Sequence, residues 1–348
     1  MPQAWQSIKP ISHSARNAAQ YVIDQKTKPL GSLGYLEEVA VLLASVLGDR
    51  VANIKPSVAI FAADHGVAEE GVSAFPQEVT AQMVANFLAG GAAVNMLAGV
   101  AEAELLIVDV GVKADFPDHE FLLKRSVAKG TANFASASAM STAECLKALA
   151  AGRDAVDILW ERGCNVFAGG EMGIGNTTAA SAIMHAISKM PVEECVGRGT
   201  GVSDEGISRK VTLIGQACQK HFACEKNDPI HILACVGGFE IAALVGAYLQ
   251  AAHRSMALVI DGFIATTAFL VASKLEPYIL EYAIFAHQSG ELGHSKLLDY
   301  LGVNPLLQMQ MRLGEGSGAA LALPLIKAAA KVYTDMASFE SAGVSQKS

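Results

Sequence analysis

The sequence is poor in charge, in aromatic side chains and in basic runs. Only 17% of its 348 residues are charged and 6% are aromatic, and 26 Lys and Arg face 34 Asp and Glu, for a formal net charge of −8. A nucleic-acid-binding surface needs a basic patch, and no stretch of this sequence supplies one. Disorder is excluded as well, because 51% of the residues are hydrophobic. The length allows one large domain or two ordinary ones.

The sequence also lacks paired cysteines and a secretory signal pattern. None of the six cysteines forms a CxxC pair, and residues 1–28 are polar, so we expect reduced thiols in a cytoplasmic protein. Two long apolar runs, 231–252 and 255–273, contain Glu240 and Asp261, respectively. Because a charge inside a bilayer is costly, we expect buried core segments and no membrane span.

Six short runs of the sequence are almost continuously apolar, which is typical of strands buried on both faces of a parallel sheet. Ala-rich segments with helical spacing lie between most of them, and this alternation indicates βαβ units. The sequence therefore predicts an α/β fold with a Rossmann-like parallel sheet of about six strands flanked by helices. The predicted strands are 58–64, 105–111, 166–171, 231–238, 257–262 and 282–287.

The two ends of the chain carry helical patterns instead. Leucine, valine and alanine recur at helical spacing after Ser32, a candidate N-cap, and residues 318–335 are Ala- and Leu-rich with Pro324 as an interruption. We expect both ends to pack together as a small helical lobe. The predicted division is a large catalytic domain over 50–315 and a small helical domain over 1–49 plus 316–348.

Residues 169–183 (GGEMGIGNTTAASAI) form a glycine-rich loop between a predicted strand and a predicted helix. Glycines let a ligand approach the backbone, and a helix N-terminus favours an anion. Asn176, Thr177 and Thr178 add side-chain donors, so phosphate is the expected guest. Asn176 stands where a Walker loop has lysine, which disfavours nucleotide triphosphate hydrolysis. The alternative is a glycine turn capped by threonine, and the strand-loop-helix context favours phosphate binding.

Three further stretches each leave two interpretations open. Lys210, beyond the glycines of 197–201, could meet a phosphate, although this stretch alone favours a solvated helix face. His287 and His294 are seven residues apart, which does not match the i, i+4 spacing of helical zinc sites; a loop whose Ser289 and Gly290 N–H groups face a ligand is favoured. Glu315 is either a general base with a raised pKa or a carboxylate that favours a helix start.

Acidic and histidine side chains at strand ends raise the question of a metal. Asp64, His65, Asp109 and Asp261 could imitate the metal cluster of a hydrolase. Such acids more often bond to neighbouring loop N–H groups. We therefore expect no metal site.

Six motifs in a fixed order point together to one protein family, although each motif alone is weak evidence for it. The set resembles the nicotinate-nucleotide–dimethylbenzimidazole phosphoribosyltransferase family, and the resemblance runs from about residue 28 to residue 344. The motifs are TKPLGSLG at 27–34, DHGV at 64–67, GVSAFPQ at 71–77, GEMGIGNTT at 170–178, HQSG at 287–290 and RLGEGSG at 312–318.

The resemblance implies a reaction in the nucleotide-loop assembly of cobalamin. Nicotinate mononucleotide would give its 5-phosphoribosyl group to 5,6-dimethylbenzimidazole or a related base, with inversion at C1′. The products would be α-ribazole 5′-phosphate and nicotinate. The resemblance also implies a homodimer and no cofactor.

The resemblance assigns roles residue by residue. Glu315 matches the family's general base, and Glu171 matches a glutamate close to the reacting ribose. The positions that match or are inferred for the nucleotide phosphate are Gly173, Thr177, Lys210, Ser289 and Gly290, and the candidates for the benzimidazole pocket are Ser73, Gln82 and Leu313.

Two functions of other classes stay open at this point. A metal-dependent phosphohydrolase would lose its activity in EDTA. A nucleotide-binding protein without activity would bind nicotinate mononucleotide and release no nicotinate.

Overall fold

The computed structural model describes residues 7–199, 201–222 and 228–345, so Thr200 and Cys224 lie outside the described residues. Its centre is a parallel sheet of seven strands in the order β3-β2-β1-β4-β5-β6-β7. The strands are β1 Pro56–Ala63, β2 Glu104–Gly111, β3 Leu122–Lys124, β4 Val166–Met172, β5 Ala257–Ile260, β6 Ala283–His287 and β7 Pro305–Leu307.

Helices connect and flank these strands. They are α1 His13–Asp24, α2 Tyr35–Leu47, α3 Val79–Leu88, α4 Ala93–Val100, α5 Thr142–Glu161, α6 Asn176–Ser188, α7 Val192–Cys195, α8 Asp204–His221, α9 Pro229–Val236, α10 Phe239–His253, α11 Phe263–Leu275, α12 Leu292–Leu301, α13 Ser317–Asp335 and α14 Phe339–Ala342. Short 3₁₀ turns occupy Gly48–Ala52, Gly66–Glu70 and Pro277–Tyr282.

The sheet confirms the predicted parallel α/β class and adds two strands at its edges. Every residue of β1, β4, β5 and β6 is buried, which explains their continuous apolar runs. The strand order reverses between β1 and β4. In open parallel sheets such a reversal opens a crevice at the carboxyl ends of the strands, where ligands bind.

One predicted strand is wrong. Residues 231–238 lie mostly in helix α9, which begins with Asp228 as N-cap and Pro229 in its first turn. The Asp228 carboxylate accepts the backbone N–H of Ile230 at 2.8 Å. A short apolar run that is buried all round does not by itself separate a strand from a helix, and here the Asp-Pro start signal decides for the helix.

The two ends of the chain meet, as the sequence predicts. Lys26 and Ser338 form an antiparallel bridge, and the Lys26 Nζ donates to the Met336 carbonyl at 2.7 Å. Helix α2 begins after Gly34, so Ser32 is not its N-cap, and α13 continues through Pro324 without a break. Helix α13 also packs on β4 and β6. The domain division at 49/50 and 315/316 stays a prediction.

Two sequence predictions remain, that the cysteine thiols are reduced and that no segment spans a membrane. The five cysteines within the described residues are buried and free. By length and composition alone, the segment Val79–Val100 could cross a membrane. The structure divides it into α3 and α4. A single candidate of this kind is weak support for a span.

Helices α5 and α10 cross at two glycines. A Cβ at Gly152 would overlap the Ala243 carbonyl oxygen, and a Cβ at Gly246 would overlap the Leu149 carbonyl oxygen. In both cases the obstacle is backbone, which cannot move without separating the helices.

We expect Gly246→Ala to lower the free energy of unfolding by about 1–3 kcal/mol, because overpacking separates α5 from α10. Gly215→Ala in α8 is the matched control, since a Cβ there meets nothing within 4 Å. The control should raise the free energy of unfolding by roughly 0.5–1 kcal/mol. Guanidinium denaturation measures both, and an unchanged Gly246→Ala midpoint would contradict the close crossing.

Candidate active site

A cavity of about 320 Å³ lies where the carboxyl ends of β4, β5 and β6 meet. Of the residues predicted for the site, it is lined by Glu171, Gly173, Thr177, Ser289, Leu313 and Glu315. A larger cavity of about 1150 Å³ lies among α5, α9, α10 and α11, and no strand-end residue lines it. The smaller cavity is therefore the candidate active site.

Glu315 sits on a turn with unusual backbone geometry. Its φ is +63°, between Gly314 and Gly316, both at +77°. A non-glycine residue in this region costs about 1–2 kcal/mol, so its neighbours must hold it there. Gly170 of β4 packs directly on this turn, because a Cβ at Gly170 would lie 2.6 Å from the Glu315 carbonyl carbon. The sheet thus fixes Glu315 at the cavity.

Glu171 is buried next to this turn. Its Oε1 accepts the backbone N–H of Glu315 at 3.4 Å, and its Oε2 accepts the Asn176 side-chain amide. Sequence reasoning gave Asn176 to a phosphate, whereas the structure places its amide on Glu171. The two predicted glutamates are therefore brought together.

Burial sets the proton affinity of both glutamates. It raises the pKa of Glu171 well above its ordinary value, and the nearby carboxylates of Glu240 and Asp261 raise it further. Burial, and then the charge of Asp261, raise the pKa of Glu315 to about 7. A carboxylate with a pKa near neutral is suited to accept a proton during turnover.

The glycine-rich loop follows β4 as predicted, and α6 begins at Asn176 after Gly175, whose φ is +100°. Gly173 leaves no space behind it. A Cβ there would lie 3.2 Å from the His65 ring and 3.3 Å from Glu240 Oε1. His65 and Glu240 form a buried pair at 2.6 Å between Nε2 and Oε1. The loop therefore packs on the buried His65–Glu240 pair, which the sequence did not reveal.

Lys210 reaches this loop from α8, although α8 is distant in the sequence. Its side chain is buried, and its Nζ donates to Thr177 Oγ1 at 3.3 Å. Burial lowers the pKa of Lys210, and the Glu291 carboxylate acts in the opposite direction. The solvated helix face that its own stretch favoured is wrong, because the ammonium group lies beside the loop.

Ser289 lines the cavity and Gly290 follows it in the chain, but their N–H groups do not face the cavity as expected. The Ser289 N–H donates to His294 Nδ1 at 2.8 Å, and the Gly290 N–H donates to the Met311 carbonyl at 2.9 Å. The Ser289 hydroxyl accepts the N–H of Glu291 at 3.3 Å. A phosphate at this position would therefore accept a hydrogen bond from the Ser289 hydroxyl group.

Only one of the three residues predicted for the benzimidazole pocket lines the cavity. Leu313 lines the cavity, and the segment of residues 73–83 contributes Phe75, Val79 and Met83. Ser73 and Gln82 belong to the same segment and do not line the cavity, and Gln82 is exposed. Their assignment to the pocket stays a prediction. The three apolar side chains are a better match to a flat aromatic ring.

The strand-end acids are held by backbone N–H groups. Asp64 accepts the N–H of Lys113 at 2.7 Å, Asp109 accepts two N–H groups of its own loop, and Asp261 accepts those of Gly316 and Ala319. In the part of the chain that the structure describes, no group of three His, Cys, Asp or Glu is arranged to hold a metal. The alternative that sequence reasoning favoured for these acids is confirmed.

Sequence reasoning missed two groups of this site. Arg312 lines the cavity and donates to the Gly199 carbonyl at 3.3 Å, and Glu240 lies under the glycine loop. Arg312 stands in the motif that contains Glu315, so the motif could have identified it. Glu240 had no signal, because it lies inside an apolar run that resembles core.

The fold and the site define a phosphoribosyltransferase. The family model described as phosphoribosyltransferase matches residues 8–344. The described fold also aligns with the crystal structure of CobT from Thermus thermophilus, with a TM-score of 0.92 and 45% identity. That alignment covers 96% of this chain and 100% of the other.

Similar curated proteins narrow the class. The chain is 53% identical over 336 residues to a protein of Janthinobacterium sp. (strain Marseille), covering 96% of each. It is 47% identical over 341 residues to a protein of Chloroflexus aurantiacus (strain ATCC 29366 / DSM 635 / J-10-fl), covering 98% of this chain and 97% of the other. Both are named nicotinate-nucleotide–dimethylbenzimidazole phosphoribosyltransferase. This chain belongs to that family, as the motifs predict, and is an enzyme.

The raised pKa of Glu315 makes stability depend on pH. Between about pH 4.5 and 7 the folded chain keeps a proton on Glu315 that the unfolded chain has lost, so this group destabilises the fold as pH rises. We expect Glu315→Gln to match wild type near pH 4 and to exceed its free energy of unfolding by up to about 3 kcal/mol at pH 8. Denaturant unfolding across this range measures the difference.

Glu340→Gln on exposed α14 is the control, and its stability should follow that of wild type at every pH. Parallel curves for Glu315→Gln and wild type would contradict the raised pKa.

Proposed function

We propose that this chain transfers the 5-phosphoribosyl group of nicotinate mononucleotide to 5,6-dimethylbenzimidazole or a related base, with inversion at C1′ and Glu315 as general base. The products are nicotinate and α-ribazole 5′-phosphate, a step of nucleotide-loop assembly in cobalamin. The observation that carries the proposal is the buried Glu315, held on a left-handed turn at a cavity with apolar walls.

The reaction needs one proton acceptor. A ring nitrogen of the base attacks C1′ from the face opposite nicotinate. The bond between C1′ and the pyridinium nitrogen breaks, and its electron pair neutralises that nitrogen. The other ring nitrogen then carries an N–H proton that Glu315 accepts. Because the leaving group departs without protonation, the site needs no general acid for it.

The remaining residues bind and orient the substrates. Lys210, Thr177 and Gly173 surround the place for the nucleotide phosphate, with Ser289 and Gly290 on the opposite loop. A buried ammonium group is well suited to a phosphate because little water competes there. Leu313, with Phe75 and its neighbours, forms the apolar wall for the acceptor base.

A homodimer in the cytoplasm, with the domain division given above, completes the proposal. The family resemblance supports the dimer, and the free thiols of the five cysteines within the described residues support the location.

The test is a product assay. Purified protein in EDTA is mixed with nicotinate mononucleotide and dimethylbenzimidazole, and we expect nicotinate and α-ribazole 5′-phosphate in equal amounts by chromatography. Nicotinate without the ribazole product would mean hydrolysis or another acceptor. Bound nucleotide without any release would mean a binding protein.

Glu315→Gln should lower kcat by about 10²–10⁴-fold, because the proton acceptor is lost. Its dissociation constant for nicotinate mononucleotide should change little, which calorimetry measures. Glu340→Gln is again the matched control and should keep its activity. If Glu171 accepts the proton in the absence of Glu315, the Glu171→Gln/Glu315→Gln variant loses the remaining rate. Wild-type kcat in Glu315→Gln would refute the assignment of Glu315.

A further inference from the structure

Asp261 lies directly after β5 and is 1% exposed. Its carboxylate bonds to the turn that carries Glu315 with both oxygens. Oδ2 accepts the N–H of Gly316 at 3.2 Å, and Oδ1 accepts the N–H of Ala319 at 2.7 Å. These two N–H groups flank Glu315 on its helical side.

The bond to Ala319 replaces a missing helix cap. Ala319 is the third residue of α13, whose N–H a serine or aspartate at the N-cap usually binds. Here the N-cap is Gly316, which has no side chain. Asp261 supplies the acceptor from another strand, and its negative charge also suits the helix N-terminus.

The contact is close as well as bonded. A Cβ at Gly318 would lie 2.9 Å from Asp261 Oδ1 and would overlap the His287 ring. The turn is thus held from β4, by the close approach of Gly170 and by the Glu171 carboxyl group, and from the end of β5, by Asp261. Asp261 is the one of these that also binds the first turn of α13, at Ala319.

We propose that Asp261 is a positioning residue for the transfer: through its bonds to the N–H groups of Gly316 and Ala319 it holds the Glu315 turn in its left-handed conformation at the cavity. The inference rests on the proposed role of Glu315 as general base. Asp261 itself takes no proton from the substrate.

Several titratable groups lie around Glu315, and Glu240 lies in the same buried region near Glu171. Glu171 faces it from β4 and Asp261 from the end of β5, while His287 of β6 has its Nε2 3.7 Å from Asp261 Oδ1. Arg312 and Glu291 line the same cavity. Asp261 is the charge that, after burial, raises the pKa of Glu315. Removing it leaves the other groups in place and lowers that pKa.

The experiment compares Asp261→Asn with wild type in the transfer assay as a function of pH. We expect kcat to fall about 10–100-fold, and the acid limb of the kcat/KM profile to move to lower pH by about one unit. The dissociation constant for nicotinate mononucleotide should stay within about threefold. A role limited to fold stability would leave the acid limb unmoved.

Asp109→Asn is the matched control. Asp109 lies near the carboxyl end of β2 and also accepts two backbone N–H groups, at 3.0 and 2.9 Å, but these belong to Gly111 and Val112 and not to the Glu315 turn. We expect wild-type kcat and an unmoved acid limb. A shift of equal size in both variants would overturn the proposal.

Asp261→Glu keeps the test open if Asp261→Asn does not fold. The charge remains but is displaced by one methylene, so we expect a lower kcat with the acid limb unchanged. Wild-type kcat in this variant would overturn the positioning role.

Glu315→Gln, measured beside these variants, separates the two proposals. If it keeps wild-type kcat, the general-base assignment fails and the role of Asp261 fails with it. If it loses turnover while Asp261→Asn keeps both kcat and its acid limb, only the role of Asp261 fails.

Discussion

The close approach of Gly170 to the backbone of Glu315 is the constraint on which the site depends. A central strand and a turn 145 positions later share the same space, because glycine has no Cβ there. This contact places a strained glutamate at the carboxyl ends of the sheet. The turn cannot move outward without losing its bonds to Glu171 and Asp261. The position of Glu315 at the cavity therefore depends on the strands of the sheet that hold its turn.

The same place concentrates carboxyl groups away from water. Glu171, Glu240, Asp261 and Glu315 lie within one buried region, and they are held by His65, by Asn176 and by backbone N–H groups. A well-packed apolar core would be more stable than such a cluster. The raised pKa of Glu315 is one result of this burial, and strongly shifted pKa values of this kind cluster at functional sites.

The sequence predicted much of the fold and part of the site. Five buried strands were readable from continuous apolar runs, and the motif order identified the family. α9 was misread because its apolar run is short and buried all round, and the three-residue strands β3 and β7 are too short to show any periodicity. At the site, the sequence predicted the residue types but not the directions in which their hydrogen-bonding groups point. The bonds of Ser289, Gly290 and Asn176 depend on loop conformations that the sequence does not specify, even where the partner is only five residues away, as for Ser289 and Asn176.

The bridge between Lys26 and Ser338 has a consequence for how the chain reaches its native state. The Lys26 ammonium binds a carbonyl 310 positions away, so the contact forms only after nearly the whole chain has been synthesised. Contacts of such separation slow folding, because a long loop must close first. Glu315 and α13 are likewise synthesised last. Because α13 packs on β4 and β6, a chain that ends before residue 315 lacks both that buried carboxyl group and the helix that packs on these strands.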